Sequence, residues 1–194
     1  MTAPEDTITI SARRQVAAGA AETFAFLASP STHRRLQVRG IALLSLDGDD
    51  LLSGGAIALR GPLGLRRTVR TRVGLRQPPT RLAGSAVAES GTAAHVSWTL
   101  RPQGDGSTLA ELAAVLGPIA RHDRLLLAVG GRHWIRSLFA ATLRTLAAEL
   151  ECGHRSMAVD LKYAPRRMAN CADPPGAVRH RFPMGHELAP FDPA

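Results

Sequence analysis

The sequence predicts an α+β fold in which one long C-terminal helix packs across the apolar face of a curved, seven-stranded antiparallel sheet. Two observations carry this prediction. Seven short runs alternate apolar and polar residues between turn-forming segments, as strands with one buried and one solvated face do. One long run near the C-terminal end repeats apolar residues at helical spacing, so it offers a broad face to that sheet.

The strands are predicted near residues 7–14, 40–46, 56–61, 65–76, 80–88, 93–101 and 107–116. Turn signals separate them, among them Gly104-Asp105-Gly106. In the fourth strand, one face is predicted to carry Val69, Thr71, Val73 and Leu75. Arginines alternate with these residues on the other face, which is therefore predicted to be solvated.

Two short helices are predicted after the first strand. The first covers Ala20 to Ala28, and Ser29-Pro30 then supplies an N-cap and a proline at the first position of a second helix that ends near Leu36. The long helix is predicted from Arg132 to Glu151. Its apolar side carries Trp134, Ile135, Leu138, Phe139, Thr142, Leu143, Leu146 and Leu150.

The chain divides at residue 151. Its 194 residues suit one domain, predicted over residues 1–151. Residues 152–194 hold six of the thirteen prolines and lose all periodicity, so a largely irregular or disordered tail is predicted there.

Hydropathy excludes a membrane span. The mean hydropathy is −0.02, and the longest apolar run, Leu125 to Val129, is far shorter than the roughly 20 residues that a spanning helix needs. Glu5 and Asp6 lie where a signal peptide would carry positive charge, so a cytoplasmic protein is predicted.

The chain is basic, with a formal net charge of +8, and all but one of its 24 basic residues are arginine. Aromatic residues make up only 4% of the chain, whereas nucleic-acid binders commonly combine basic charge with stacking aromatics. The densest basic run, Arg66 to Arg72, alternates like a strand and is interpreted as a solvated sheet face. No specific nucleic-acid partner is predicted. An Arg-rich interaction module on an anionic surface, using this strand and the basic tail, remains an alternative.

Motifs for catalysis or cofactor binding are absent from the sequence. It contains no GxSxG elbow, P-loop, GxGxxG before a helix, or HExxH. The tail residues Cys152, His154, Cys171, His180 and His186 do not have the close-paired spacing of a compact zinc site. Neither a metal nor another cofactor is predicted.

Four stretches resemble a known family. They are Val16 to Leu27, Ser29-Pro30-Ser31-Thr32-His33, Pro79-Thr80-Arg81-Leu82 and Gly104 to Leu109. Their order over residues 7–151 is similar to that in the START-like helix-grip superfamily (SRPBCC), in particular its polyketide cyclase/dehydrase-like branch. The resemblance implies a sheet that grips the last helix around an apolar cavity. It also implies an apolar small-molecule ligand of polyketide, lipid or sterol-like type.

The residues predicted to line this cavity follow from the strand alternation and the helix stripe. They are Val69, Thr71, Val73, Leu82, Ala86, Val96, Trp98, Arg132, Ile135, Leu138, Phe139 and Thr142. Whether the protein catalyses a reaction is left open. For the alternative of a polyketide aromatase/cyclase-like enzyme, the candidate polar groups are Arg132, His122 and Thr71. Asp123 has two interpretations, as the partner of His122 or as a helix N-cap.

Overall fold

The computed structural model describes residues 7–29, 32, 34–46, 54–61 and 64–160. It contains the predicted seven strands as one antiparallel, curled sheet with the order β1-β7-β6-β5-β4-β3-β2, which confirms the predicted fold class. The strands are β1 (Ile8–Val16), β2 (Ile41–Leu46), β3 (Gly55–Arg60), β4 (Arg66–Gln77), β5 (Arg81–Ala88), β6 (Ala93–Pro102) and β7 (Thr108–Leu116).

Helices cover one face of the sheet. Helix α1 (Ala20–Ala28) follows β1, and a 3-10 turn at Arg34–Leu36 occupies the end of the predicted second helix. Residues 30, 31 and 33 of that prediction lie outside the described residues. Helix α2 (Arg121–Leu126) and helix α3 (Arg132–Asp160) follow the last strand, and α3 packs on β1, β7 and the 3-10 turn.

A kink separates α2 from α3. Residues Leu127–Gly131 form a π-type turn in which Gly130 has φ of +118°, a conformation that side-chain-bearing residues rarely adopt. Helix α3 extends nine residues beyond the predicted end at Glu151 because no proline interrupts the chain before Pro165. Residues 161–194 of the predicted irregular tail lie outside the described residues.

The face assignment of β4 is wrong at one predicted position. Val69 is buried and pairs with Ala88, but the register shifts between Val73 and Leu75, so that Gly74 forms a β-bulge. The bulge reverses the alternation beyond it. Leu75 is consequently exposed, and the Arg76 guanidinium instead lies over the Phe24 ring, 5.9 Å from its centroid.

The structure describes α3 with its side chains as far as residue 153, and this part divides into an N-terminal, first half (132–142) and a C-terminal half (143–153). The main core lies between β1, α1, the inner face of β5 to β7 and this C-terminal half. Leu143 and Leu146 of α3 are fully buried there, together with Val16 and Leu27. The Thr108 hydroxyl in the same region is also buried and donates to the Ala18 carbonyl at 2.7 Å. Among the described residues, no buried side-chain nitrogen or oxygen lacks a hydrogen-bond partner. The buried polar groups at this end of the fold therefore carry no unpaired desolvation cost.

Candidate functional site

A cavity of about 600 Å³ lies between the sheet and the first half of α3. Its floor comes from one face of β2 to β7, and its roof from α2, the π-type turn and α3. The two tryptophans of the chain, Trp98 and Trp134, both lie in its wall. The volume falls within the range of roughly 300–1,000 Å³ that small-molecule sites usually have.

Small residues on β5 leave the cavity open. Gly84, Ala86 and Ala88 face the helix from this strand and reach only a short distance toward it. Gly84 cannot be enlarged, because a Cβ there would lie 2.2 Å from the Arg72 carbonyl oxygen at the bulge. The space between β5 and α3 is therefore built into the sheet itself.

Eleven of the twelve predicted cavity residues lie in the wall. These are Val69, Thr71, Val73, Leu82, Ala86, Val96, Trp98, Ile135, Leu138, Phe139 and Thr142. Arg132 is not among the lining residues and is exposed at the first position of α3, on the solvent side of the kink. Leu126 of α2 and Val129 of the π-type turn line the cavity instead, so this part of the wall comes from residues that precede Arg132.

A polar cluster forms part of the cavity wall. Asp123 lies in the first turn of α2 and accepts hydrogen bonds from the hydroxyl groups of Ser90 and Thr92, the latter at 2.5 Å. Its other oxygen lies 3.2 Å from a guanidinium nitrogen of Arg67 on β4. The Thr92 hydroxyl also accepts a hydrogen bond from the Ala120 amide at 3.1 Å. The cluster thus ties α2 to β4 and to the β5–β6 turn.

Asp123 remains ionised in this setting. Burial raises the pKa of its carboxyl, but the hydrogen bonds from Ser90 and Thr92 and the charges of Arg67 and His122 outweigh that effect, so the pKa lies below the usual value of 3.8. Asp123 is not the N-cap of α2, a position that belongs to Ala120. An ionised, fully engaged carboxylate holds Arg67 in place and is a weak proton acceptor.

The sequence interpretation did not single out Arg67, a charged residue of the cavity wall. Arg67 lies two residues before Val69 in β4 and therefore on the same face of the strand as Val69, Thr71 and Val73. This alternation could have identified it as a cavity residue. Among the described residues, its guanidinium has a hydrogen bond to Asp123 only, and its side chain is 35% exposed, so its other N–H groups can donate to a ligand. The cavity wall contains two arginines, Arg67 and Arg72, of which Arg67 is held by the Asp123 carboxylate.

His122 does not lie in the cavity, where the enzyme alternative would require it. Its Nε2 lies 3.4 Å from an Asp123 oxygen, but its side chain is more than half exposed and is not part of the cavity wall. Of the three candidate polar groups, only Thr71 lines the cavity.

In the part of the chain that the structure describes, no group of three or more His, Cys, Asp or Glu side chains could hold a metal ion. No helix within the described ranges is long and apolar enough to cross a membrane.

Known proteins share this architecture. Residues 7–151 match the family model described as polyketide cyclase/dehydrase and lipid transport. The AHSA1 protein from Silicibacter pomeroyi is 19% identical, with a TM-score of 0.53 over 76% of this chain and all of that one. A protein from Rhodobacter sphaeroides is 26% identical, with a TM-score of 0.53 over 74% of this chain and 92% of that one.

A further solved structure is DynU16, a protein of the dynemicin biosynthetic locus. It is 16% identical with a TM-score of 0.50, and the match covers 77% of this chain and 49% of DynU16. A comparison with curated proteins found no match.

Proposed function

This chain belongs to the polyketide cyclase/dehydrase and lipid transport family, and we propose that it binds an apolar small molecule of polyketide, lipid or sterol-like type between its sheet and α3. The observation that carries the proposal is the cavity of about 600 Å³ whose walls are mostly apolar. Such walls bind by removing apolar surface from water, and polar groups fix orientation.

Arg67 gives the proposed ligand a direction. Its cation is held against Asp123 at one place in the wall, so an oxygen-bearing end of the ligand is stabilised there and the apolar body extends along Trp98 and Phe139. Each additional methylene buried in the cavity adds about 0.8 kcal/mol, or about fourfold in affinity. Affinity for a series of fatty acids therefore rises steeply with chain length until the cavity is filled.

A thermal-shift screen tests this proposal. The full chain is heated with fatty acids, sterols, aromatic polyketides and flavonoid-like compounds. A ligand at 100 times its Kd adds about 2.7 kcal/mol to the free energy of unfolding and raises the Tm by a few degrees. A saturable shift with at least one class is the expected result.

A pair of neighbouring variants makes the screen specific. Ala86 lines the cavity and Val87, the next residue, points to the opposite, exposed face of β5. Ala86→Phe fills the cavity and is expected to abolish the ligand shift, whereas Val87→Phe keeps it. No shift with any class, or an equal shift in Ala86→Phe, would contradict binding in this cavity.

A polyketide aromatase/cyclase activity is the second candidate, and the position of Arg67 favours it. A fixed cation in an apolar wall stabilises an enolate oxygen as charge develops on it. Turnover of an aromatic polyketide precursor is then expected in the wild type and lost in Arg67→Met, while that variant still binds the precursor. Binding without turnover in both proteins would leave binding as the function.

A further inference from the structure

The mouth of the cavity carries unusually exposed aliphatic side chains. Val129 in the π-type turn is 87% exposed and Leu125 at the end of α2 is 69% exposed. Leu126 and Val129 also line the cavity, so an apolar path runs from the surface into its interior. We call Arg121, Leu125, Leu126 and Val129 the mouth surface.

Positive charge predominates in the segment that carries these aliphatic residues. Residues 117–148, all of them described, contain five arginines and a single acidic residue, Asp123. Asp123 is turned inward, where it binds Arg67, Ser90 and Thr92. Arg121 lies one helical turn before Leu125 on the same exposed side of α2, so cation and aliphatic side chain present themselves together.

We propose that the mouth surface docks on an anionic lipid membrane, with Leu125 and Val129 inserted at the headgroup level and Arg121 on a phosphate. This inference rests on the proposed function, since an apolar ligand dissolves in the bilayer and reaches the cavity from there. Exposed aliphatic residues beside arginines are the composition of elements that lie in a membrane interface.

The same composition fits an acidic protein partner less well. Protein interfaces concentrate their binding energy in aromatic side chains and arginine. Among the described residues, the exposed large apolar side chains are all leucine or valine. The positive charge of the mouth surface suits an acidic protein and an anionic membrane equally. Its exposed leucine and valine side chains favour the membrane.

Vesicle co-sedimentation of the ligand-free full chain tests the proposal. The vesicles are phosphatidylcholine alone or with about a quarter of phosphatidylglycerol. The test variant is Arg121→Gln with Leu125→Gln, two exposed residues outside the cavity wall. Its matched control is Arg70→Gln with Val87→Gln, an exposed arginine and valine that are cross-strand neighbours between β4 and β5.

The wild type and the control are expected to bind the anionic vesicles, and more weakly at high salt. Losing one arginine lowers the partition coefficient by about fivefold and losing Leu125 by about tenfold more. The proposal would be overturned if the wild type does not bind anionic vesicles. Binding to an acidic carrier protein without binding to vesicles would overturn it equally. So would a test variant that binds as well as the wild type, or an equal loss in the control.

This outcome is separable from that of the proposed function. Vesicle binding is measured without ligand, and the thermal shift with soluble ligand is measured without vesicles. If the cavity binds nothing but the mouth surface binds vesicles, the proposed function fails alone. If the test variant keeps the full ligand shift and the wild type binds no vesicles, only the membrane proposal fails.

Discussion

The two halves of α3 carry the same type of apolar stripe and perform different tasks. In the C-terminal half, Leu143 and Leu146 are fully buried against β1 and α1. In the N-terminal half, Ile135 and Phe139 are only partly buried and line a cavity of about 600 Å³. The helix periodicity is continuous across both halves.

The surroundings of the helix, and not its own pattern, cause this difference. Leu146 belongs to the buried core together with Leu100 of β6 and Leu27 of α1. Phe139 instead lines the cavity together with Gly84 and Ala86 of β5, and the kink at Gly130 precedes this half of the helix. One half therefore stabilises the fold, and the other leaves space for a ligand.

The largest expected effect compares equal truncations in the two halves. Leu146→Ala removes a fully buried side chain and should lower the free energy of unfolding by about 3 kcal/mol, because it creates a new cavity. Leu138→Ala, two helical turns earlier, extends a cavity that already exists and should cost about half as much. Equilibrium urea unfolding measures both values. Equal costs would mean that the first half is as tightly packed as the second.

The second prediction concerns the polar cluster around Asp123, which ties α2 to β4. Asp123→Asn keeps the shape of the side chain but removes the charge that Arg67 binds, and should cost about 1–2 kcal/mol near pH 7. The folded pKa of Asp123 lies below 3.8, so its contribution is complete above that pH and is lost as the pH falls through the folded pKa.

The difference between wild type and Asp123→Asn in urea unfolding should therefore shrink as the pH is lowered below 3.8. Glu149→Gln is the control. Glu149 forms an ion pair at 3.5 Å with Arg35, which is largely exposed, so this substitution should change the free energy of unfolding by less than about 0.5 kcal/mol. A pH-independent difference for Asp123→Asn would show that its carboxylate charge contributes nothing.

The smallest effect concerns the kink at Gly130, which precedes the first half of α3. Gly130→Ala meets no neighbouring atom within 4 Å but must hold φ at +118°, so backbone strain alone should cost about 1 kcal/mol. Gly153→Ala, at an open position within α3, should instead stabilise the chain by about 0.5 kcal/mol. Thermal unfolding of the two variants gives these values, and a loss of stability at both positions would argue against the kink as the cause.

Local patterning predicted the elements well. The strand alternation located all seven strands to within two residues, because each carries a regular apolar face. Gly74 was the available sign of a bulge, but a glycine in a strand does not state which register follows. The prediction that Leu75 lies on the apolar face of β4 was therefore wrong.

The polar part of the wall depends on contacts far apart in sequence. Asp123 meets Arg67 across 56 residues, and Ser90 and Thr92 across 33 and 31. No periodicity connects these positions, and only the sheet order brings them together. The placement of Arg132 likewise needed the direction of the chain after Gly130, which the helical pattern did not contain.

Tryptophan fluorescence tests the central claim most directly, because both tryptophans lie in the cavity wall. A fatty acid brominated along its chain quenches indole fluorescence on contact. We expect saturable quenching in the wild type, retention of that quenching in Trp134→Phe through Trp98, and its loss in Ala86→Phe. Quenching that never saturates, or that is equal in Ala86→Phe and the wild type, would contradict an apolar ligand site between the sheet and the first half of α3.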